Sequence, residues 1–299
     1  MKALDFIFAA RPMLLLPVWS IYLITYNTLK GDKSFSPDAL LILAALSLMY
    51  AGAYYLNQIH DYRSDLINKK LGFLQREIIS RKGMVSAFDI VSLAALVIAF
   101  VHDYITGVVF VAIFVLGYLY SAPPPRFKDR PISGLLANAA AYGVLLPLAV
   151  PGFLEEIDDT GLMLLIYFFT TVAAGYMLTI IPDKEGDKKT GKTTLAVYFG
   201  DRTIIIIGFL FLGLSLIPAL IMKHYPLVGV SLISMILFLT AAVLRKIPIV
   251  LFACKFPILM MSLLAGWYCP GYIIFLLALI ILTRIYYKKR FGIEYPRLS

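Results

Sequence analysis

Apolar runs of about 18 to 25 residues recur along this chain, and each is long enough to cross a bilayer core of about 30 Å. They lie near residues 5–27, 37–59, 84–101, 104–120, 132–150, 161–182, 203–222 and 226–244. A last block, 247–288, is either one crossing with a re-entrant piece or two crossings parted by the turn at Cys269, Pro270 and Gly271. The expected fold is all-α, a polytopic transmembrane bundle of nine or ten helices. Composition agrees: 61% of the 299 residues are hydrophobic and 15% charged, outside the usual balance of a soluble domain. Polar stretches are short and lie between runs, so one membrane domain over 1–299 is expected. The first run carries Asp5 and Arg11-Pro12 without a small-residue cleavage site, and is expected to stay as helix 1 rather than leave as a signal peptide. Cys254 and Cys269 form no metal-like or disulfide-like pattern.

The net charge of +9 points to topology, not to nucleic acid. Basic residues gather after the second, fourth and sixth runs: Arg63, Lys69, Lys70, Arg76, Arg81 and Lys82; Arg126, Lys128 and Arg130; Lys184, Lys188, Lys189, Lys192 and Arg202. The opposite connections hold mainly Lys30, Lys33 and Lys223, and one is acidic, with Glu155, Glu156, Asp158 and Asp159. The positive-inside rule makes the first set, and the N-terminus, cytoplasmic. The closing Arg284, Lys288, Lys289 and Arg290 favour a cytoplasmic C-terminus and ten crossings.

Alternation puts the ends of the second, fourth and sixth runs on one membrane face, where three distant segments can converge. In NQIHDYRSD, Asn57, Asp61 and Asp65 fall at i, i+4 and i+8, on one helix face with steps of about 6 Å. In PDKEGD, Asp183 and Asp187 repeat that spacing, each 122 residues after its counterpart. Carboxylates near a bilayer are costly and usually functional. Oxygen ligands of this kind suit Mg²⁺, which takes one or two carboxylates, waters and phosphate oxygens; two such clusters facing one site can hold two ions bridged by a diphosphate. Arg63, Lys188, Lys189 and Lys192 supply the counterpart for phosphate oxygens, although a single lysine here ordinarily faces lipid headgroups. YSAPPPRFKDRP adds Tyr120, Ser121, Arg126 and Lys128 on a loop stiffened by Pro123, Pro124 and Pro125.

GDKKTGKT, residues 186–193, matches the nucleotide-binding pattern GxxxxGK[ST] literally. A P-loop follows a β-strand and opens a helix in an α/β domain; this stretch follows an apolar run, and the chain re-enters the membrane soon after. ATP is therefore not expected. The same residues make a metal and diphosphate loop whose glycines permit tight turns.

With these motifs in hand the chain resembles the UbiA family of intramembrane prenyltransferases. The resemblance rests on Asn57, Asp61 and Asp65 in NxxxDxxxD, on Tyr120, Ser121 and Lys128, and on Asp183 and Asp187 in DKEGDKKTGKTTLAVYFG. It implies a bundle usually of nine helices around a central cavity open sideways to lipid. It implies Mg²⁺-dependent transfer of an isoprenyl chain from a prenyl diphosphate to a lipophilic, membrane-associated acceptor. Asn57, Asp61, Asp65, Asp183 and Asp187 are then the expected metal ligands, and Arg63, Ser121, Arg126, Lys128, Lys188 and Lys192 the diphosphate-binding set. Asp61, Asp183, Tyr120 and Lys128 are the expected catalytic group, with Tyr120 offering π electrons to an allylic cation. The loops near 60–83, 121–131 and 183–202 form the polar cap. Gln58 stands where many members carry a second acid, leaving one ligand fewer. The closing YYKKRFGIEYP is similar to archaeal members. An aromatic or quinone-precursor acceptor is favoured narrowly over a glycerophosphate ether lipid.

Other polytopic classes fit less well. A transporter places ionisable groups near mid-membrane, whereas nearly all acids here lie at helix ends. His60, His102 and His224 sit at ends or loops, which argues against haem. The DxxDGxxAR run of a CDP-alcohol phosphatidyltransferase is absent.

Overall fold

The computed structural model describes residues 2–31, 35–67, 72–155 and 157–296. Lys33, Lys69, Lys70 and Glu156, which entered the charge alternation, lie outside the described residues. Among the described residues the secondary structure is entirely helical, and ten helices are long and apolar enough to cross a membrane. They are α1 (Lys2–Lys30), α2 (Pro37–His60), α3 (Arg81–His102), α4 (Tyr104–Ser121), α5 (Pro131–Leu148), α6 (Asp159–Thr179), α7 (Asp201–Ile221), α8 (Tyr225–Leu244), α9 (Ile247–Tyr268) and α10 (Pro270–Phe291). The ambiguous final block is thus two helices, meeting at Cys269, as the charge alternation requires.

Local chemistry sets the helix ends. Ser36, Ser80, Asp103 and Asp158 each accept a backbone N–H from three residues on, which satisfies donors that a helix start leaves open. Apolar side chains cover the outside as well as the inside: Ile90, Leu93, Val101, Val243, Ile274 and Leu282 are all exposed. Lipid contact explains this, because in hydrocarbon the helix backbone closes its own hydrogen bonds and its side chains need not be polar. Burial is uneven. Two thirds (67%) of the apolar window of α1 is enclosed, against 22% for α3 and α9, so α1 runs through the interior while α3 and α9 face outward.

Two helices are interrupted beside the interior. In α1, Arg11 adopts a left-handed φ of 54° ahead of Pro12. In α5, a π-helical segment, Ala141–Leu145, precedes Pro147, whose missing N–H leaves an upstream carbonyl without its usual partner. Within that segment a Cβ on Gly143 would sit 2.4 Å from the Phe169 Cα of α6; only glycine lets α5 and α6 approach so closely.

The chain ends are locked together. Asp5 of α1 is buried, accepts a 2.6 Å hydrogen bond from the Tyr286 hydroxyl of α10, and pairs with Arg290 Nε at 3.1 Å. Phe8 stacks on Tyr286 at 3.9 Å between ring centroids, and Phe73, Leu74 and Ile79 from the segment after α2 join the same cluster. Replacing Asp5 by Ala leaves the buried Tyr286 hydroxyl without its acceptor and the half-buried Arg290 without its counter-charge, which costs about 1 to 3 kcal/mol; the expected outcome is a lower unfolding temperature in detergent micelles, measured by differential scanning fluorimetry.

Candidate active site

Three segments meet at one end of the bundle. α2 ends at His60, but the N–H of Asp61 still donates to the Asn57 carbonyl and that of Asp65 to the Asp61 carbonyl, both at 2.9 Å. The helical path therefore continues through Asp61 into the short helix Tyr62–Ile67. After α6 the chain makes a second short helix, Lys184–Lys189, where the Asp187 N–H donates to the Asp183 carbonyl at 2.9 Å. These two short helices pack against each other. The proline-rich loop after α4 ends in the 3-10 turn Phe127–Asp129, and the Thr193 N–H donates to the Asp129 carbonyl at 2.9 Å, tying that loop to the stretch after Asp187.

Asp61 is the hub. Its Oδ1 lies 2.9 Å from Lys128 Nζ, 3.3 Å from Lys192 Nζ and 3.6 Å from an Arg126 guanidinium nitrogen. Lys128 Nζ also donates to Asn57 Oδ1. Lys192 Nζ lies 3.3 Å from Asp187 Oδ1 and donates to Ser64 Oγ at 3.2 Å, so one ammonium joins both acidic motifs. Asp65 is turned toward α1, with Oδ2 3.9 Å from an Arg11 nitrogen. The two arginines that reach motif aspartates, Arg11 and Arg126, both hold positive φ, 54° and 38°, a conformation that a side chain with Cβ rarely adopts.

Opposing effects set the ionisation of the hub. Burial pushes the Asp61 carboxyl up, but the ammonium groups of Lys128 and Lys192 outweigh it, and the net shift is down from 3.8. Burial dominates at Lys128 and lowers it below the ordinary lysine value, Asp61 opposing. Burial also acts against charge on Lys192, yet Asp61, Asp187 and Asp129 together raise it above 10.5.

Most of the expected residues are assembled here. Asn57, Asp61, Arg126, Lys128, Asp187 and Lys192 form one connected network, and Asp65 adjoins it through Arg11. Asp183 is half-buried at the start of its short helix. Arg63 is exposed and lines a polar hollow of about 1040 Å³ that Arg126 and Lys192 also line. Lys188 is exposed. Gln58, the departure from the family pattern, is buried and donates to the Ala9 and Tyr54 carbonyls at 2.8 and 3.0 Å; it braces the break in α1 and does not face the acids.

Sequence reasoning missed Asp129. Its Oδ2 lies 3.0 Å from Arg126 Nε, and its Oδ1, 3.8 Å from Lys192 Nζ, is buried without a hydrogen-bond partner among the described residues. The signal was its position three residues after Arg126. The oxygen donors of this site suit Mg²⁺ in kind, and Asp129 Oδ1, which accepts no hydrogen bond among the described residues, shows acceptor capacity to spare. Among the described residues, however, no three acids, histidines or cysteines are already gathered around one point, because lysines stand between the carboxylates.

Below the network two apolar chambers open. A central one of about 320 Å³ lies among α1, α2, α5, α6, α7, α8 and α9, and a side one of about 180 Å³ among α2, α3, α4 and α5. Tyr54, Asn138 and Tyr142 line both. Tyr120 and Ser121 line the side chamber together with Asn57. Phe238 of α8 lines the central one.

The UbiA prenyltransferase family model matches residues 14–248, and the chain belongs to that family. It is 30% identical over 197 residues to 2-acyl-4-prenylphloroglucinol 6-prenyltransferase of Humulus lupulus, covering 61% of this chain and 47% of that one. It is 27% identical over 225 residues to digeranylgeranylglyceryl phosphate synthase of Methanobrevibacter smithii, covering 71% and 78%. The chain thus spans about half the length of the plant relatives it matches. Its fold is similar to that of a UbiA homolog from Archaeoglobus fulgidus solved with DMAPP and Mg²⁺, with a TM-score of 0.75 at 20% identity over 90% of this chain and 99% of the other. Ten apolar helices and this membership make it an integral, multi-pass membrane protein.

The direction of the Asp61 shift gives a pH dependence. A lowered native carboxyl contributes stability that is present above 3.8 and lost as pH falls through its lower native value. Thermal unfolding followed across acidic pH is expected to show a steeper fall for the parent than for Asp61→Asn.

Proposed function

We propose that the protein is a Mg²⁺-dependent prenyltransferase that moves an isoprenyl chain from a prenyl diphosphate to a lipophilic acceptor within the membrane. The observation that carries this reading is the union of two acidic motifs through Lys192 and Asp61, next to Asn57 at the mouth of an apolar chamber. Family membership supports it, and so does the likeness in fold to a homolog solved with DMAPP and Mg²⁺.

Asn57, Asp61 and Asp65 would hold one Mg²⁺ ion and Asp183 and Asp187 a second; when bound, the ions neutralise the diphosphate and make it a leaving group. Lys128, Lys192 and Arg126 turn their donors to its oxygens, with Arg63 and Lys188 reaching in from the exposed rim and Ser121 donating from the chamber side. The C1–O bond of the donor breaks and its electron pair leaves with the diphosphate. The acceptor's nucleophilic atom bonds to C1 and passes its proton to the released diphosphate. The apolar walls exclude water from the allylic cation, and the faces of Tyr120 and Tyr142 stabilise its charge. Asp61 and Lys128 hold the departing group at the chamber mouth, and Asp183 does so from the second motif. Asp129 positions Arg126 and Lys192.

In this reading residues 1–299 form one transmembrane domain, and the loops near 60–83, 121–131 and 183–202 cap the site. The basic residues around them put that face in the cytoplasm. The partners are the donor, the acceptor and membrane lipid, with no role for nucleic acid or ATP. An aromatic or quinone-precursor acceptor and a glycerophosphate ether lipid both suit the chemistry, and the relatives include proteins named for each type.

Purified protein incubated with geranylgeranyl diphosphate and an acceptor panel is expected to release diphosphate only when Mg²⁺ is present. Asp61→Ala and Asp183→Ala are each expected to lower turnover by at least about 100-fold, the scale of losing a group that stabilises transition-state charge. Turnover that persists in both variants sinks the assignment of the two motifs.

A further inference from the structure

The two buried acids of the first motif are held by different parts of the bundle. Asp61 is met by Arg126 and Lys128 from the loop after α4 and by Lys192 from the stretch after α6. Asp65 is met by Arg11, at the break in α1. Resting on the prenyl-transfer reading above, we propose that the C-terminal end of α10, with Tyr287, Phe291 and Tyr295, is a positioning element of the active site. It holds Arg11 and the segment that follows the first motif, and through them sets where the Asp65 carboxylate stands for Mg²⁺.

The end of α10 is built of rings. Tyr287 lies 4.7 Å from Tyr295, 5.5 Å from Phe291 and 6.0 Å, edge to face, from Phe8 of α1. Gly292 ends the helix with a φ of 70°, and its N–H donates to the Lys288 carbonyl at 3.0 Å; this left-handed residue turns the tail back, so that Tyr295 reaches Tyr287. The Arg11 charge acts on the hydroxyls of both tyrosines, which puts the guanidinium near the pair. Arg11 also donates its N–H to the Phe8 carbonyl at 3.1 Å, and Phe8 stacks on Tyr286. The turn that aims the guanidinium at Asp65 therefore rests on α10 through its backbone as well.

The other side of the motif rests on the same place. The segment after the short helix Tyr62–Ile67 carries Phe73, 5.6 Å edge to face from Phe291, and Arg76, whose guanidinium carbon lies 5.4 Å over that ring, an attraction of a cation for π electrons. Gln75 Nε2 donates to the Tyr62 carbonyl at 3.4 Å, which carries the hold back to the start of the short helix. Asp65 thus sits between Arg11 and a segment pinned to the last turn of α10. The carboxylate is 5% exposed, so its charge depends on close cations and its direction on whatever aims them.

Holding α1 to α10 does not require this connection. The two helices also meet far from the motif, where Trp19 packs edge to face on Phe275 at 5.0 Å and on Tyr272 at 6.3 Å. What the aromatic end adds is a path to a motif carboxylate, and partner groups of this kind orient a metal ligand and tune its affinity. Arg11 and the end of α10 both lie outside residues 14–248, the part that the family model matches, so the shared pattern of the family gives them no place in the site.

The test compares Tyr295→Ala, Tyr295→Phe and Arg11→Gln with Trp19→Leu, a control at the remote contact. Tyr295 is half-buried in the tail, and Tyr295→Ala is expected to fold. Equilibrium binding of a slow-reacting thiolo analogue of geranylgeranyl diphosphate is titrated with Mg²⁺, bound Mn²⁺ is counted by electron paramagnetic resonance, and thermal unfolding is followed alongside. Tyr295→Ala and Arg11→Gln are each expected to raise the Mg²⁺ needed for half-saturation by about tenfold, the scale of losing a group that orients a metal ligand. Tyr295→Phe keeps the ring and is expected to stay with the parent, and Trp19→Leu is expected to unfold earlier without moving the Mg²⁺ requirement. Because Tyr295 acts through Arg11, adding Tyr295→Ala to Arg11→Gln is expected to raise the requirement by less than about twofold further. The assignment is overturned if Tyr295→Ala or Arg11→Gln needs no more Mg²⁺ than the parent, if Trp19→Leu matches their shift, or if the two changes add in full. Each of those results leaves prenyl transfer standing. A folded parent that binds no prenyl diphosphate with Mg²⁺ refutes prenyl transfer itself, and the positioning role falls with it.

Discussion

The Asp61 carboxylate holds the functional end of this protein together. It sits where α2 gives way to a short helix, and receives Lys128 from the loop after α4 and Lys192 from the stretch after α6. Lys192 then reaches Asp187, so both acidic motifs are joined through a single ammonium. A carboxylate at a bilayer surface with so little exposure loses hydration, and only close cations make its charge tolerable. The same demand fixes the loops. Each must deliver a cation to one oxygen, and Arg126 accepts a left-handed backbone beside it, a departure typical of functional sites.

Beneath that charged layer the bundle departs from close packing. Protein interiors are normally filled, yet two chambers lie on either side of Tyr54 and Tyr142. The breaks that shape them coincide with Pro12 and Pro147, each removing an N–H from a helix. Backbone oxygens close to the breaks hold the tyrosines: the Leu14 carbonyl accepts the Tyr54 hydroxyl, and the Ala141 carbonyl accepts the Tyr50 hydroxyl as well as the Leu146 N–H. Irregular backbone at membrane depth is tolerated where it is enclosed by protein or lines a cavity, and both conditions hold here. The far end of α1 needs no such adaptation, because Asp5, Tyr286 and Arg290 clamp it to α10.

Much of this was legible in the residues. Run length left nine helices or ten and the family resemblance pointed to nine, while the basic connections favoured the ten that the described residues form, since a crossing has a minimum length and basic loops have a preferred side. The i, i+4 spacing of Asp61 with Asp65 and of Asp183 with Asp187 identified both motifs, because a helix repeats every 3.6 residues wherever it occurs. The P-loop match GDKKTGKT follows a membrane helix rather than a strand, and its Lys192 faces carboxylates. Gln58 was counted as leaving one ligand fewer; what spacing did not give is where its amide goes, to the carbonyls of Ala9 and Tyr54, because side-chain direction at a helix end depends on the neighbouring helix.

The sequence by itself determined the class of fold, the face on which its polar ends gather and the residue types available for diphosphate chemistry, because hydropathy, charge and helical period are local properties of the chain. Only the tertiary structure decided that Lys192 bridges the two motifs, that Asp129 belongs to the site, and that the apolar interior is divided into two chambers by a pair of tyrosine hydroxyls. Those facts depend on which side chains meet across α1, α2, α5 and α6. Contacts between residues 88 or 131 positions apart are set by packing of the whole bundle, which no local pattern encodes.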